Sequence, residues 1–369
     1  MNQLFRWDQM GLFLLALAAG ILPFAVPEVC AAALREGLTL CCGPLLLSLF
    51  PFLVVSRLLI QCPESDLLAL PFRLAAWGIG IRTPCAARVL CIGFLGGFAP
   101  AASAAAQAVR TGQLTAEEAD ALLPACICSG PSFVVLTVGQ SLLGSAELGV
   151  LLFASQITAN YLTAALLNRF AGVRSVKLGS AAPASPAPPR LDEILADAAI
   201  TYCKLCGFIL FFRMLAAGAG ALLPADAGTL CSILLEVCSG CDLASRTGRW
   251  GSLLCCAALS VQGLSVLLQV RTICPPEMTL RPLYRARMLH LPLSLALFYL
   301  LLPGGEADVF STLPARVLLM RRVPPDCALL VFAVCCMAVC TLRSGIRQVE
   351  QKQMARNAGG CCINSKTLL

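Results

Sequence analysis

Apolar runs close to the roughly 20 residues that a helix needs to cross a hydrocarbon core recur along almost the whole chain. Residues 11–26, 38–60, 148–167, 199–223 and 327–342 are such runs. A soluble fold has no use for so many, because it must coat its core with charge. This chain lacks the charge: of 369 residues, 58% are apolar and 13% charged, against roughly 25% charged in an ordinary globular domain. Two water-soluble domains, which length alone would permit, are thereby excluded. The sequence reads as an all-α polytopic integral membrane protein, with the lipid bilayer as its first partner.

The run 11–26 is ended by Pro27 and preceded by Arg6, a pattern shared with secretory leaders. No small-x-small cleavage site with a polar start follows, since Cys30-Ala31-Ala32-Ala33 leads on towards the next run. We expect an uncleaved first helix. Residues 65–80 set Asp66, Arg73 and Trp77 among Leu and Phe, as an interfacial amphipathic helix does.

The 22 cysteines sit mostly inside apolar runs, as in Thr39-Leu40-Cys41-Cys42, Leu254-Cys255-Cys256 and Val334-Cys335-Cys336. A thiol there acts as a small apolar residue that lets helices approach, so reduced cysteines are expected rather than disulfides. Cys203-x-x-Cys206 and Cys238-x-x-Cys241 would suggest zinc in a soluble chain, but both pairs lie in or beside apolar spans. His290 is the single histidine, which rules out a His-rich metal site. No Ser-His-Asp set, Walker loop or paired carboxylates stand out. We expect no enzyme, no metal or other cofactor, and no nucleic-acid partner.

Interruptions within the apolar runs carry the functional signal. Residues 89–109 are broken by Gly93, Gly96, Gly97 and Pro100; residues 121–143 are broken by Ser129-Gly130-Pro131-Ser132. Between them Thr115-Ala116-Glu117-Glu118 has the form of a capping box. The second half repeats the order: 199–223 is a span, 230–241 a short Gly-interrupted piece, 251–270 a run carrying Gln262-Gly263-Leu264-Ser265, and 289–302 a closing span. Wording echoes as well, Phe52 to Arg57 facing Phe208 to Arg213. Two related halves are expected, each with Gly/Pro-interrupted helices that either cross or re-enter. Unwound backbone at membrane depth is tolerable only where it lines a cavity or holds a ligand, and interrupted segments at matching positions of two halves point to a transporter's binding site.

The expected layout is an N-terminal membrane helix and loop (1–37), a first repeat (38–170), a Pro/Ala/Ser linker (171–195), a second repeat (196–304) and a C-terminal helix with a basic tail (305–369). Arg169, Arg174, Lys177 and Arg190 precede any acid in the linker, and Arg343, Arg347, Lys352 and Arg356 outweigh Glu350 in the tail. Both read as cytoplasmic, in a multi-pass protein of the cell membrane. Arg57, Lys204 and Arg213 are the charges within or beside spans, where an ionisable group is by default a functional one. Glu236 is the one acid inside an interrupted segment, placed to pair with one of them or to bind a coupling cation.

The chain resembles the sporulation integral membrane proteins of YlbJ type, which carry the nucleoside-recognition (Gate) domain related to concentrative nucleoside transporters. The resemblance begins at Phe50-Pro51-Phe52 and passes through Gly96-Gly97-Phe98-Ala99-Pro100, Arg110-Thr111-Gly112-Gln113-Leu114-Thr115 and Ser129-Gly130-Pro131-Ser132-Phe133 to Asn160-Tyr161-Leu162. In the second half it rests on Leu235-Glu236, Cys238-Ser239-Gly240 and Gly263-Leu264-Ser265 with Gln269. Departures from the family pattern are the displaced Pro100, Ser103 at a basic position, Cys126-Ile127-Cys128 for an Asn-bearing stretch, Gln156 for a histidine and Arg57 where an acid is common. The resemblance implies a permease for a small polar, anionic metabolite such as dipicolinate, in the outer forespore membrane. The alternatives are a cation-coupled nucleoside transporter and a non-transporting scaffold of the spore envelope, alone, as a homo-oligomer or with other sporulation proteins. The expected substrate-binding residues are Gly96, Gly97, Ser129, Gly130, Ser132, Gly263, Ser265, Gln269, Arg213 and Glu236.

Overall fold

Proline and glycine divide several of the chain's apolar runs into shorter helices. In a computed structural model residues 2–171 and 191–302 are described, and every regular element among them is helical. The linker 172–190 and the expected final span with its basic tail lie outside the described residues. Helix α1 is Asn2–Ala25, α2 Pro27–Cys42 and α3 Pro44–Gln61. The run 38–60 is therefore not one helix. It breaks at Gly43 because Pro44 brings no N–H and disfavours helical backbone in the residue before it. A short 3₁₀ turn, Pro63–Asp66, leads to α4, Leu70–Gly78, which is all that the amphipathic stretch supplies.

The interrupted stretches become pairs of short helices. These are α5 (Pro84–Gly96) and α6 (Phe98–Arg110), then α7 (Ala116–Cys126) and a π-helix (Ser132–Leu142), followed by the unbroken α8 (Ala146–Ala171). After the linker come α9 (Leu191–Leu222), α10 (Ala225–Leu235) and α11 (Val237–Ser245), α12 (Gly251–Val261) and α13 (Gly263–Ile273), and α14 (Arg281–Leu301). Not every glycine or proline breaks its helix. Gly93 lies inside α5, and Pro100 sits in the first turn of α6, where a missing N–H is no loss. The break in 230–241 falls at Glu236 and not at Gly240, which lies within α11. The closing span also starts earlier than residue 289, since α14 begins at Arg281 and takes Arg285 and Arg287 into the helix.

The joints differ in kind. Helices α5 and α6 fold back on one another, so that a Cβ at Gly93 would lie 3.2 Å from the Cβ of Ala101. Helices α10 and α11 do the same, and a Cβ at Gly240 would stand 2.8 Å from the Cα of Ile233. By contrast, α12 and α13 form one apolar stretch, Gly248–Ile273, of 26 residues.

Among the described residues, four stretches are long and apolar enough to cross a membrane: Pro27–Leu47, Ala146–Ala171, Leu191–Leu222 and Gly248–Ile273. Only 24%, 39% and 39% of the first three is buried within the protein, against 61% of the fourth. The first three thus turn apolar side chains outward, as lipid contact requires, and the fourth is the more enclosed. The short helix α6 is enclosed as well. Its Ala99, Ala101, Ala102, Ala104, Ala105, Ala106 and Ala108 are all buried, and it packs against α3, α5, α7 and α13. Thirteen residues rise only about 20 Å, too short for a span. Alanines on every side let the neighbouring helices close around it. The π-helix packs on α8 through glycines, since a Cβ on Gly139 would fall 2.4 Å from the Cα of Gly149.

Polar side chains fix the starts of α7 and α14. The Thr115 hydroxyl accepts from the Glu118 amide at 3.1 Å while the Glu118 carboxylate accepts from the Thr115 amide at 3.2 Å, the capping box read from the sequence. Thr83, preceding α5, donates to the same carboxylate at 2.7 Å. Asp120 of α7 accepts from the amides of Thr279 and Leu280 at 2.8 and 3.1 Å and from the Thr279 hydroxyl at 2.7 Å. It thereby holds Leu280 at φ +56 as the residue that launches α14.

Candidate functional site

Four helices, α3, α6, α9 and α13, leave between them a cleft of about 190 Å³. Its floor is Ser103 and Ala106 of α6 with Gln269 of α13, all buried. Arg57 of α3 forms one wall, bonded to Asp197 at 2.5 Å and to the Thr201 hydroxyl at 3.3 Å. Lys204 of α9 and Arg110, at the end of α6, stand at the exposed rim. Neither has a carboxylate within ion-pair distance among the described residues. Three cations therefore face one carboxylate.

The Arg57–Asp197 pair is asymmetric: the arginine side chain is 10% exposed and the aspartate 60%. A pair open to solvent on one side contributes about 0–1 kcal/mol, so an entering anion can replace Asp197 at little cost. Gln269 donates its amide N–H to the Ser265 hydroxyl at 3.0 Å, which fixes its carboxamide at the floor. The cleft is below the roughly 300–1,000 Å³ that encloses drug-sized ligands and amounts to about six water volumes at ~30 Å³ each. It suits a compact polar molecule.

Beneath the cleft the helix joints meet in two groups. At the first, Gly97 (φ +83) ends α5, and a Cβ there would lie 2.7 Å from the Gly130 amide nitrogen. Gly96, Gly97, Ser129 and Gly130 are thus brought together, with Ser132 opening the π-helix beside them. At the second, Gly263 (φ +71) lies against the other joint, its ideal Cβ 2.9 Å from the Glu236 nitrogen and from the Leu235 carbonyl. Glu236 caps α11, accepting from the Cys238 and Ser239 amides at 2.8 and 2.7 Å.

A third group ties the two together. The Ile127 carbonyl, at the end of α7, accepts from Arg287 Nη2 at 2.5 Å, Asn160 Nδ2 at 3.3 Å and Gln262 Nε2 at 3.4 Å. Arg287 also donates Nη1 to the Ser260 carbonyl at 3.3 Å. Seven residues separate Asp120 from Ile127 and Leu280 from Arg287, so α7 and α14 run parallel with two clamps about 10 Å apart. A buried polar column continues from here: Gln156 donates to Ser260 Oγ at 3.0 Å, Ser260 and Ser294 share a hydrogen bond, and His290 Nε2 lies 3.2 Å from the Gln156 carbonyl.

The expected site residues therefore divide. Gln269, backed by Ser265, reaches the cleft; the glycines and Ser129 build the joints beneath it. Arg213 lies elsewhere and pairs with Glu36 of α2 at 2.8 Å, not with Glu236, whose carboxylate is taken up by backbone amides. Glu36 is 67% exposed, so this pair is peripheral. Arg287, Gln262 and Asp120 were missed. Arg287 was readable as an Arg-x-x-His pair one helical turn apart, but starting the closing span at residue 289 left it among the flanking charges. Among the described residues all cysteines are free thiols, and no group of three or more His, Cys, Asp or Glu is placed to hold a metal. No family model, no curated protein and no solved structure matches the chain.

Proposed function

We propose that the chain is a membrane permease for a small polar anion, built of two related halves and allied to the sporulation membrane proteins that its sequence resembles. The observation that carries this reading is the cleft, in which Arg57, Arg110 and Lys204 face the single carboxylate of Asp197. An anion in a low-dielectric bundle needs matched charge, because an unpaired carboxylate there is very costly. Arginine supplies it at any pH and offers a planar fork to a carboxylate. A dicarboxylate of dipicolinate size is the first substrate to test.

The element order supports the two halves. Span, folded-back pair, broken stretch and span follow one another as α3, α5/α6, α7/π-helix and α8, and again as α9, α10/α11, α12/α13 and α14. In this reading the folded-back pairs re-enter and the broken stretches cross. The cleft then lies where α3 and α6 of one half meet α9 and α13 of the other, as a site between rocking repeats does. Its walls come from the end of α9 that follows the linker, so it opens on the side we take as cytoplasmic.

Uptake of labelled pyridine-2,6-dicarboxylate and of labelled nucleosides by proteoliposomes tests the proposal. Saturable uptake of the dicarboxylate, lost in an Arg57→Gln protein of normal yield, is the expected result. Uptake of nucleoside alone would replace the anion reading, and uptake of neither would favour a scaffold. Disruption in a spore former tests the physiological part, and normal spore dipicolinate content would sink it.

A further inference from the structure

Arg287 is buried to 7% exposure and has no carboxylate within ion-pair distance among the described residues. An isolated charge in such a place is costly unless its surroundings supply the opposite potential. Here backbone supplies it. The Ile127 and Ser260 carbonyls stand at the C-terminal ends of α7 and α12, and a helix C-terminus carries about half a negative charge. Two such ends converge on one point, and the Ile127 carbonyl draws two further donors, from Asn160 and Gln262. In broken-helix transporters, carbonyls at half-helix C-termini hold the coupling cation.

We infer that these two helix ends form a monovalent-cation site which the chain fills with its own guanidinium, so that the permeation proposed above needs no coupling cation there. The inference about coupling rests on the permease reading; the existence of the site does not. A guanidinium that stays protonated at any relevant pH and is tethered to α14 cannot be released to either side. Its charge contributes to holding the two broken stretches together and is not carried through a transport cycle. Asp120 supports the arrangement, because its grip on Thr279 and Leu280 fixes the register in which α14 presents Arg287 to Ile127.

The test is made on the full-length purified protein, with melting temperature as a readout that does not require transport. An Arg287→Ala protein is expected to melt lower than wild type. It should regain about 2–4 °C or more, saturably, with millimolar methylguanidinium chloride, and nothing with choline chloride at equal ionic strength. Wild type should respond to neither. A folded Arg287→Ala protein that melts like wild type, or that methylguanidinium leaves unmoved, overturns the inference. If the alanine protein cannot be recovered, the decision passes to Arg287→Lys and to wild-type flux. The lysine protein should be recovered, and wild-type dicarboxylate uptake should be equal in Na⁺ and in choline. Loss of the lysine protein, or saturable stimulation of wild-type uptake by Na⁺, overturns it. Absence of any wild-type uptake refutes the permease reading instead and leaves the melting experiment, or failing it recovery of the lysine protein, to judge the site.

Discussion

Asp120→Ala removes the clamp that starts α14, and its cost can be worked from the contacts. Three hydrogen bonds to the carboxylate are lost, from the Thr279 amide, the Thr279 hydroxyl and the Leu280 amide. Thr279 is exposed and can turn to water, so its share of the loss is small. Leu280 is fully buried. Its stranded N–H costs about 1–3 kcal/mol, and the left-handed backbone at φ +56, worth roughly 1–2 kcal/mol of strain for a side-chain-bearing residue, loses its support. The sum is about 2–5 kcal/mol. Asp120→Asn keeps one acceptor oxygen and should lose about half as much. Unfolding of the detergent-solubilised protein measures the difference, and hydrogen exchange at the Leu280 amide should rise in the alanine variant. An Asp120→Ala protein within about 1 kcal/mol of wild type, with Leu280 still protected, would refute the role given to this carboxylate.

Gly263→Ala should lower membrane yield sharply, because φ +71 and an ideal Cβ position 2.9 Å from the Glu236 nitrogen leave no room; Gly130→Ala, whose Cβ would meet the Gly96 carbonyl at 3.4 Å, should be recovered at near wild-type yield. Arg213→Gln should cost no more than about 1 kcal/mol, as an exposed pair does, and leave uptake unchanged, while Glu236→Ala should lose about 1–2 kcal/mol as an N-cap; uptake lost in a well-folded Arg213→Gln protein would return that residue to the site. Lys204→Gln and Arg110→Gln should each raise the half-saturating concentration of dicarboxylate severalfold and weaken its salt dependence, read by uptake at two ionic strengths.

Much of the architecture was legible in the sequence because it follows from backbone chemistry. Hydropathy marked the spans, and glycine and proline marked the breaks to within a few residues at 97, 127–131 and 262. The exceptions are instructive. Glu236 ends α10 with no glycine at the joint, since its carboxylate supplies the acceptors that the first turn of α11 needs. Gly93 and Gly240 looked like breaks and instead serve close packing against Ala101 and Ile233.

The charged partners were not legible. Arg213 finds Glu36, Arg57 finds Asp197 and Arg287 finds two carbonyls, and no spacing rule connects positions so far apart. By itself the sequence determined the solvent this chain folds in, the helices it forms and the places where they break, because these depend on local side-chain transfer energies and backbone freedom. Only the tertiary structure decided which charges share the cleft and which buried cation the half-helices clasp. Those outcomes hang on the register between elements: a turn's shift of α14 along α7, about 5 Å, would carry Arg287 beyond the reach of the Ile127 carbonyl.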